Sequence, residues 1–154
     1  MLFDSPMFRK LSLLFLAFSS LSANATGYSE YVLCPQELEN EAGYLQDWNS
    51  VYASYGQFWR CDDGAVAEGY SKSVISLLVG QWHEINALEN ITTRDEAFEK
   101  FILRHIDELA SCHDLLLIWN NAHKACPKGS RKICKAIIND MKKGGFIDRC
   151  FEAR

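Results

Sequence analysis

The sequence predicts an all-α fold, a single-domain bundle of about five helices stapled by disulfides. Three observations carry that expectation. After position 35, apolar residues recur every three or four positions almost throughout, the spacing of one helix face. No stretch alternates apolar and polar residues as a half-buried strand would. All six cysteines follow a segment with the order of an export signal, and an oxidising compartment turns an even set of cysteines into covalent staples.

That segment opens the chain. Arg9 and Lys10 form a basic region, residues 11–21 a short apolar run, and Ala23-Asn24-Ala25 a small-residue cleavage site. Residues 1–25 are therefore expected to be a cleaved secretory signal peptide, and 26–154 a secreted or periplasmic helical domain. The run falls short of the ~20 residues that a membrane-spanning helix needs. With 48% hydrophobic and 23% charged residues, the 154-residue chain can bury a core and is not disordered as a whole. A net charge of −4 argues against a nucleic-acid partner.

The first helix is expected over about 35–60, where Leu38, Ala42, Leu45, Trp48, Tyr52, Tyr55 and Trp59 step by three or four. Pro35 suits its start, where a missing backbone N–H costs nothing. Cys61-Asp62-Asp63-Gly64 ends it and opens the second helix, with Asp62 or Asp63 as the capping acceptor. This second helix, about 64–82, has the widest apolar arc (Val66, Tyr70, Val74, Leu77, Leu78) and is expected to be the most central. Beside that arc runs a stripe of small residues: Ala65, Gly69, Ser73, Ser76 and Gly80. A helical glycine costs roughly 1 kcal/mol against alanine, so Gly69 marks a close helix approach, with room for a ligand as the sharper alternative.

A third helix is expected over about 94–109, with Phe98, Ile102, His105 and Leu109 on one face. Asp95 and Glu96 there suit the positive end of the helix dipole. The fourth, about 113–125, carries Leu115, Ile118, Trp119 and Ala122. The fifth, about 130–143, carries Ile133, Ala136, Ile137 and Met141 and stops at Gly144-Gly145, after which 146–151 add one last turn.

Among the cysteines, Cys126 and Cys134 flank a Pro-Lys-Gly-Ser turn and are the best local disulfide pair. Cys34 with Cys61 is expected to be excluded. A helix of ~25 residues between them would span about 37 Å, against the ~7 Å that a disulfide bridges. No C-x-x-C is present, so zinc is not expected. The intervals Cys34-x26-Cys61, Cys112-x13-Cys126 and Cys126-x7-Cys134 resemble those of insect odorant-binding proteins, which are exported, helical and held by six cysteines. The resemblance implies a carrier of small apolar ligands. The chain departs from that pattern at Ala65, where the family would need a cysteine, and Cys150 has no counterpart; the likeness covers spacings only and assigns no family.

Candidate chemistry is sparse. His105 with Glu108 one turn on and Asp107 nearby offers metal ligands or an acid–base pair, although a histidine on an apolar face is more simply a buried residue satisfied by one hydrogen bond. Asp62, Asp63 and Glu68 cluster where a cell-wall hydrolase would place paired carboxylates, yet capping and dipole complementation account for acids there. With no G-x-S-x-G and no H-E-x-x-H, no catalytic residue, metal or cofactor is expected. Asn90-Ile91-Thr92 matches a glycosylation sequon. The aromatics Tyr44, Trp48, Tyr52, Tyr55, Phe58 and Trp59 cover more than one helix face, and those outside the core would form a contact surface.

Charge is unevenly spread: residues 26–123 hold five basic and sixteen acidic side chains, residues 124–154 nine and three. Either the basic C-terminal helix lies on the acidic helices, or the acidic part faces a cationic partner, or the chain self-associates. The leading expectation is an exported, non-catalytic interaction protein that binds another protein, such as an inhibitor or immunity-type protein against a toxin or hydrolase. A small apolar-ligand carrier and a cell-wall hydrolase using Asp62, Asp63 and Glu68 are the alternatives.

Overall fold

A computed structural model describes residues 34–152, so the expected signal segment lies outside the described residues. Eight α-helices and four 3-10 turns make up this part, and no strand occurs among the described residues. The α-helices are α1 (Glu37–Glu41), α2 (Trp48–Phe58), α3 (Gly64–Gly80), α4 (Ile85–Thr92), α5 (Glu96–Arg104), α6 (Cys112–Lys124), α7 (Arg131–Lys143) and α8 (Phe146–Glu152). The all-α class holds with more and shorter helices than expected. None of the described helices is long and apolar enough to cross a membrane.

The expected first helix is broken, and the break corrects a disulfide. After a 3-10 turn at Ala42–Tyr44, Leu45 is extended (φ −69°, ψ 130°). Asp47 is extended too and caps α2: its carboxylate accepts from the Ser50 amide at 2.8 Å, and its own amide donates to the Ser50 hydroxyl at 3.2 Å. Such a reciprocal box satisfies two amides that a helix start otherwise leaves orphaned. The chain doubles back there, which brings Cys34 to Cys61. The two are bonded with Cα atoms 5.7 Å apart, so the exclusion of this pair was wrong, because it assumed one straight helix. The expected Cys126–Cys134 bond is formed, and Cys112–Cys150 ties α6 to α8.

As expected, α3 is the most buried element, with Tyr70, Val74, Leu77 and Leu78 in the core. Its small stripe divides. Gly69 and Ser73 seat the 42–44 turn: the Ser73 hydroxyl donates to the Ala42 carbonyl at 2.6 Å and accepts from the Leu45 amide at 3.1 Å. Ala65, Ser76 and Gly80 face solvent. A Cβ on Gly69 would lie 2.9 Å from the Ala42 Cβ and 3.0 Å from the Gly43 nitrogen, so the close-packing reading of this glycine holds.

Two glycine substitutions should therefore go in opposite directions. Gly69→Ala gains about 1 kcal/mol of helix propensity but pushes the turn off α3, for a net loss of about 1–2 kcal/mol. Gly56→Ala, where an added Cβ meets nothing within 4 Å, should stabilise by up to about 1 kcal/mol. Denaturation midpoints of the two variants check the pair; a stabilised Gly69→Ala protein would refute the close contact.

Around α3, α4 contributes Ile85, Leu88 and Ile91, α5 contributes Phe98, Phe101 and Ile102, and α7 contributes Ile133, Ile137 and Met141 to one continuous core. Part of the charge asymmetry is resolved here. Lys132 of α7 pairs with Glu99 of α5 at 2.9 Å, and the Ile133 amide donates to the Glu89 carboxylate of α4 at 2.7 Å. The third expected helix also ends early. Asp95 caps α5 as its position promised, accepting from the Phe98 amide at 3.0 Å, but the helix stops at Arg104 rather than 109. His105 becomes its C-cap, and Asp107 takes the Leu109 amide at 2.9 Å in the turns that follow.

Candidate functional site

The start of α3 and the end of α5 meet at one carboxylate. Asp63 supplies the cap of α3, accepting from the Gly64 amide at 2.8 Å in the open. Asp62 is thereby turned inward, and its side chain is only 2% exposed. Because α5 ends at residue 104, Arg104 and His105 both face it. Arg104 Nη2 is hydrogen-bonded to Asp62 Oδ2, and His105 Nε2 lies 3.2 Å from Asp62 Oδ1. The other ring nitrogen, Nδ1, is 3.0 Å from the Ser71 hydroxyl, which donates to Asp107 Oδ2 at 2.7 Å.

The Ser71 hydroxyl thus joins the Asp107 carboxylate to the His105 ring, and the far side of that ring meets the Asp62 carboxylate. His105 Nε2 is hydrogen-bonded to Asp62 Oδ2 at 3.3 Å, and Asp62 Oδ1, also buried, has no hydrogen-bond partner among the described residues. Burial alone would push the Asp62 carboxyl up, but the hydrogen bond and charge of His105, followed by Arg104, outweigh it and hold the group below its ordinary value. These contacts fasten α3 to the 104–107 corner.

Of the residues singled out in the sequence, Asp62 and His105 are brought together. Asp63 and Glu68 stay on the rim of a 240 Å³ cleft beside the pair, and Glu108 is exposed away from it. Arg104 and Ser71 were missed. Ser71 left a trace, as a polar residue within the buried arc of α3 between Tyr70 and Val74.

The aromatic series does not form one surface. Trp48 is buried in the core. Tyr44, before the break, is 68% exposed with the Lys72 ammonium 3.9 Å over its ring. Tyr52 donates to Asp95 at 3.2 Å and meets Phe98 edge-on. Tyr55 and Trp59 belong elsewhere: with Phe101, Ala97, Arg60, Lys100, Arg104 and Asp62 they line a cleft of about 400 Å³. Tyr55 leans on Phe98 and Phe101 at centroid distances of 5.2 and 4.8 Å. Its hydroxyl is pushed up by burial first and then by Asp95 and Tyr52, so it remains a neutral donor. Trp59 is 54% exposed, with the Arg60 guanidinium 5.2 Å over its ring. The cleft shares Asp62 and Arg104 with the buried chain.

No family model, no curated protein and no solved structure matches this chain.

Proposed function

We propose that the protein is exported and non-catalytic and that it binds another protein through the Trp59 cleft, in an inhibitor or immunity-type role against a toxin or hydrolase. The observation that carries this reading is the half-exposed Trp59 ring at the mouth of a cleft with two further aromatic walls. Covering the open part of a tryptophan contributes about 2 kcal/mol, the level of an interface hot spot. Three disulfides among the described residues accord with export, which the order of residues 1–25 also supports, and one of them, Cys34–Cys61, adjoins the cleft. The acidic excess of residues 26–123 would steer a partner of net positive charge. A hydrolase working through Asp62, Asp63 and Glu68 has less support, since Asp62 is tied up by Arg104 and His105 and Asp63 caps α3.

The test is affinity capture from the extracellular proteins of the source, with wild-type protein, Trp59→Ala and a distant control, Phe151→Ala. A partner retained by wild type and Phe151→Ala, and bound at least about tenfold less by Trp59→Ala, is the expected result. Identical capture by all three would refute the assignment of the surface.

A further inference from the structure

We infer that the Trp59 cleft receives an acidic group of the partner, a carboxylate side chain next to an apolar or aromatic one. The inference rests on the reading of the protein as a protein-binding module, and it names the chemistry of the contact.

Four observations support it. Residues 26–123 contain only five basic side chains, and three of them, Arg60, Lys100 and Arg104, line this one cleft. Asp62 is the one acid among its lining residues, and its carboxylate is already spent on Arg104 and His105. In a segment with sixteen acidic side chains this is a local concentration of cations, with Asp62 and Glu96 as the carboxylates paired to Arg104 and Lys100. Second, the cations are held in place before any ligand arrives. Arg104 is anchored through one end of its guanidinium fork to buried Asp62, yet its side chain is 63% exposed. Lys100 is steadied by Glu96 at 2.9 Å while 74% exposed. An anchored guanidinium that still faces water loses little freedom on binding and offers its remaining N–H groups to a carboxylate.

Third, the walls are aromatic. Tyr55, Trp59 and Phe101 supply apolar surface directly beside the cations, which suits a carboxylate with an apolar neighbour better than a bare anion. Fourth, the volume of about 400 Å³ lies within the ~300–1,000 Å³ range of specific ligand clefts. Because residues 26–123 carry sixteen acidic side chains against five basic, the partner should present this group within an otherwise basic contact face. The same local charge would repel a lysine or arginine tip.

Two blocked peptides test the inference: Glu-Phe-Glu, and its neutral isostere Gln-Phe-Gln. Each is titrated into the disulfide-bonded protein and followed through the indole N–H resonance of Trp59. Saturable binding of Glu-Phe-Glu is expected, about tenfold tighter than Gln-Phe-Gln and weakened as salt rises. Lys100→Gln and Arg60→Gln, which leave the buried Asp62 chain untouched, should each weaken it severalfold. Equal binding of both peptides, or of neither, overturns the inference. Capture of a partner that stays sensitive to Trp59→Ala after such a result would leave the broader protein-binding reading standing, whereas peptide binding without any such partner would separate the two in the other direction.

Discussion

Replacing Asp62 with alanine is expected to cost about 3–5 kcal/mol, the loss typical of breaking a buried charged pair from one side. The side chain is 2% exposed and, among the described residues, is the one carboxylate paired with both Arg104 and His105. Arg104 can turn to water when its partner goes, because most of it is already there. His105 cannot. Its ring is 3% exposed, and with Asp62 gone Nε2 would be left buried without its partner. Most of the loss should therefore come from the histidine, so His105→Leu in the Asp62→Ala background should recover part of it. Urea denaturation of the single and double variants at neutral pH measures both effects.

The pH dependence of the same pair fixes its sign. The Asp62 pKa is lowered on folding, so its contribution is fully present above the unfolded value of 3.8 and is lost as pH falls through the still lower folded value. The stability gap between wild type and Asp62→Asn should be constant from about pH 6 to pH 5 and should close below about pH 4. A gap that persists unchanged at pH 2, or a cost of Asp62→Ala under about 1 kcal/mol, would show that the carboxylate is not part of a stabilising chain.

How much of this was legible in the sequence depends on which residues carried the information. The ends of α3, α6 and α7 were readable within a residue or two because caps and glycines stand where the apolar spacing stops, as Asp63 and Gly144 do. The break at 45–47 was hidden because Leu45 and Trp48 keep the three-residue step on both sides of it. Periodicity cannot see a turn that preserves phase. The trace was Asp47 with Ser50 three residues on, a capping box with serine in place of the usual Glu or Gln. The missed disulfide followed from that one omission. At the site, Asp62 and His105 were each noticed for a local reason, as a cap and as an apolar-face histidine. Their meeting depends on α5 ending at Arg104, and nothing in the spacing of Phe98, Ile102 and His105 says that the helix stops there. The helix closes there with the His105 and Ile106 amides donating to the Ile102 and Leu103 carbonyls, and Asp107 accepts from the Leu109 amide in the turn beyond.

Removing the three disulfides one at a time, as paired alanine substitutions, should separate stability from binding. Chain entropy alone ranks them by the loop that each closes. Cys112–Cys150 spans 38 residues, Cys34–Cys61 27 and Cys126–Cys134 8, which corresponds to losses of about 4, 3.5 and 2.5 kcal/mol at 25 °C. Position adds what entropy does not. Cys61 closes the 3-10 turn Trp59–Cys61 and is directly followed by Asp62, so the Cys34–Cys61 bond pins both the exposed indole and the carboxylate that anchors Arg104. Loss of this bond should weaken partner capture and Glu-Phe-Glu binding even at temperatures where the variant is still folded by circular dichroism. The Cys126–Cys134 variant, whose bond bridges the 128–130 turn before α7, should lose stability and keep binding. If the Cys34–Cys61 variant binds like wild type while folded, the cleft is held by α2, α3 and α5 packing alone. In that case the aromatic contacts of Tyr55 with Phe98 and Phe101 are the ones that shape it.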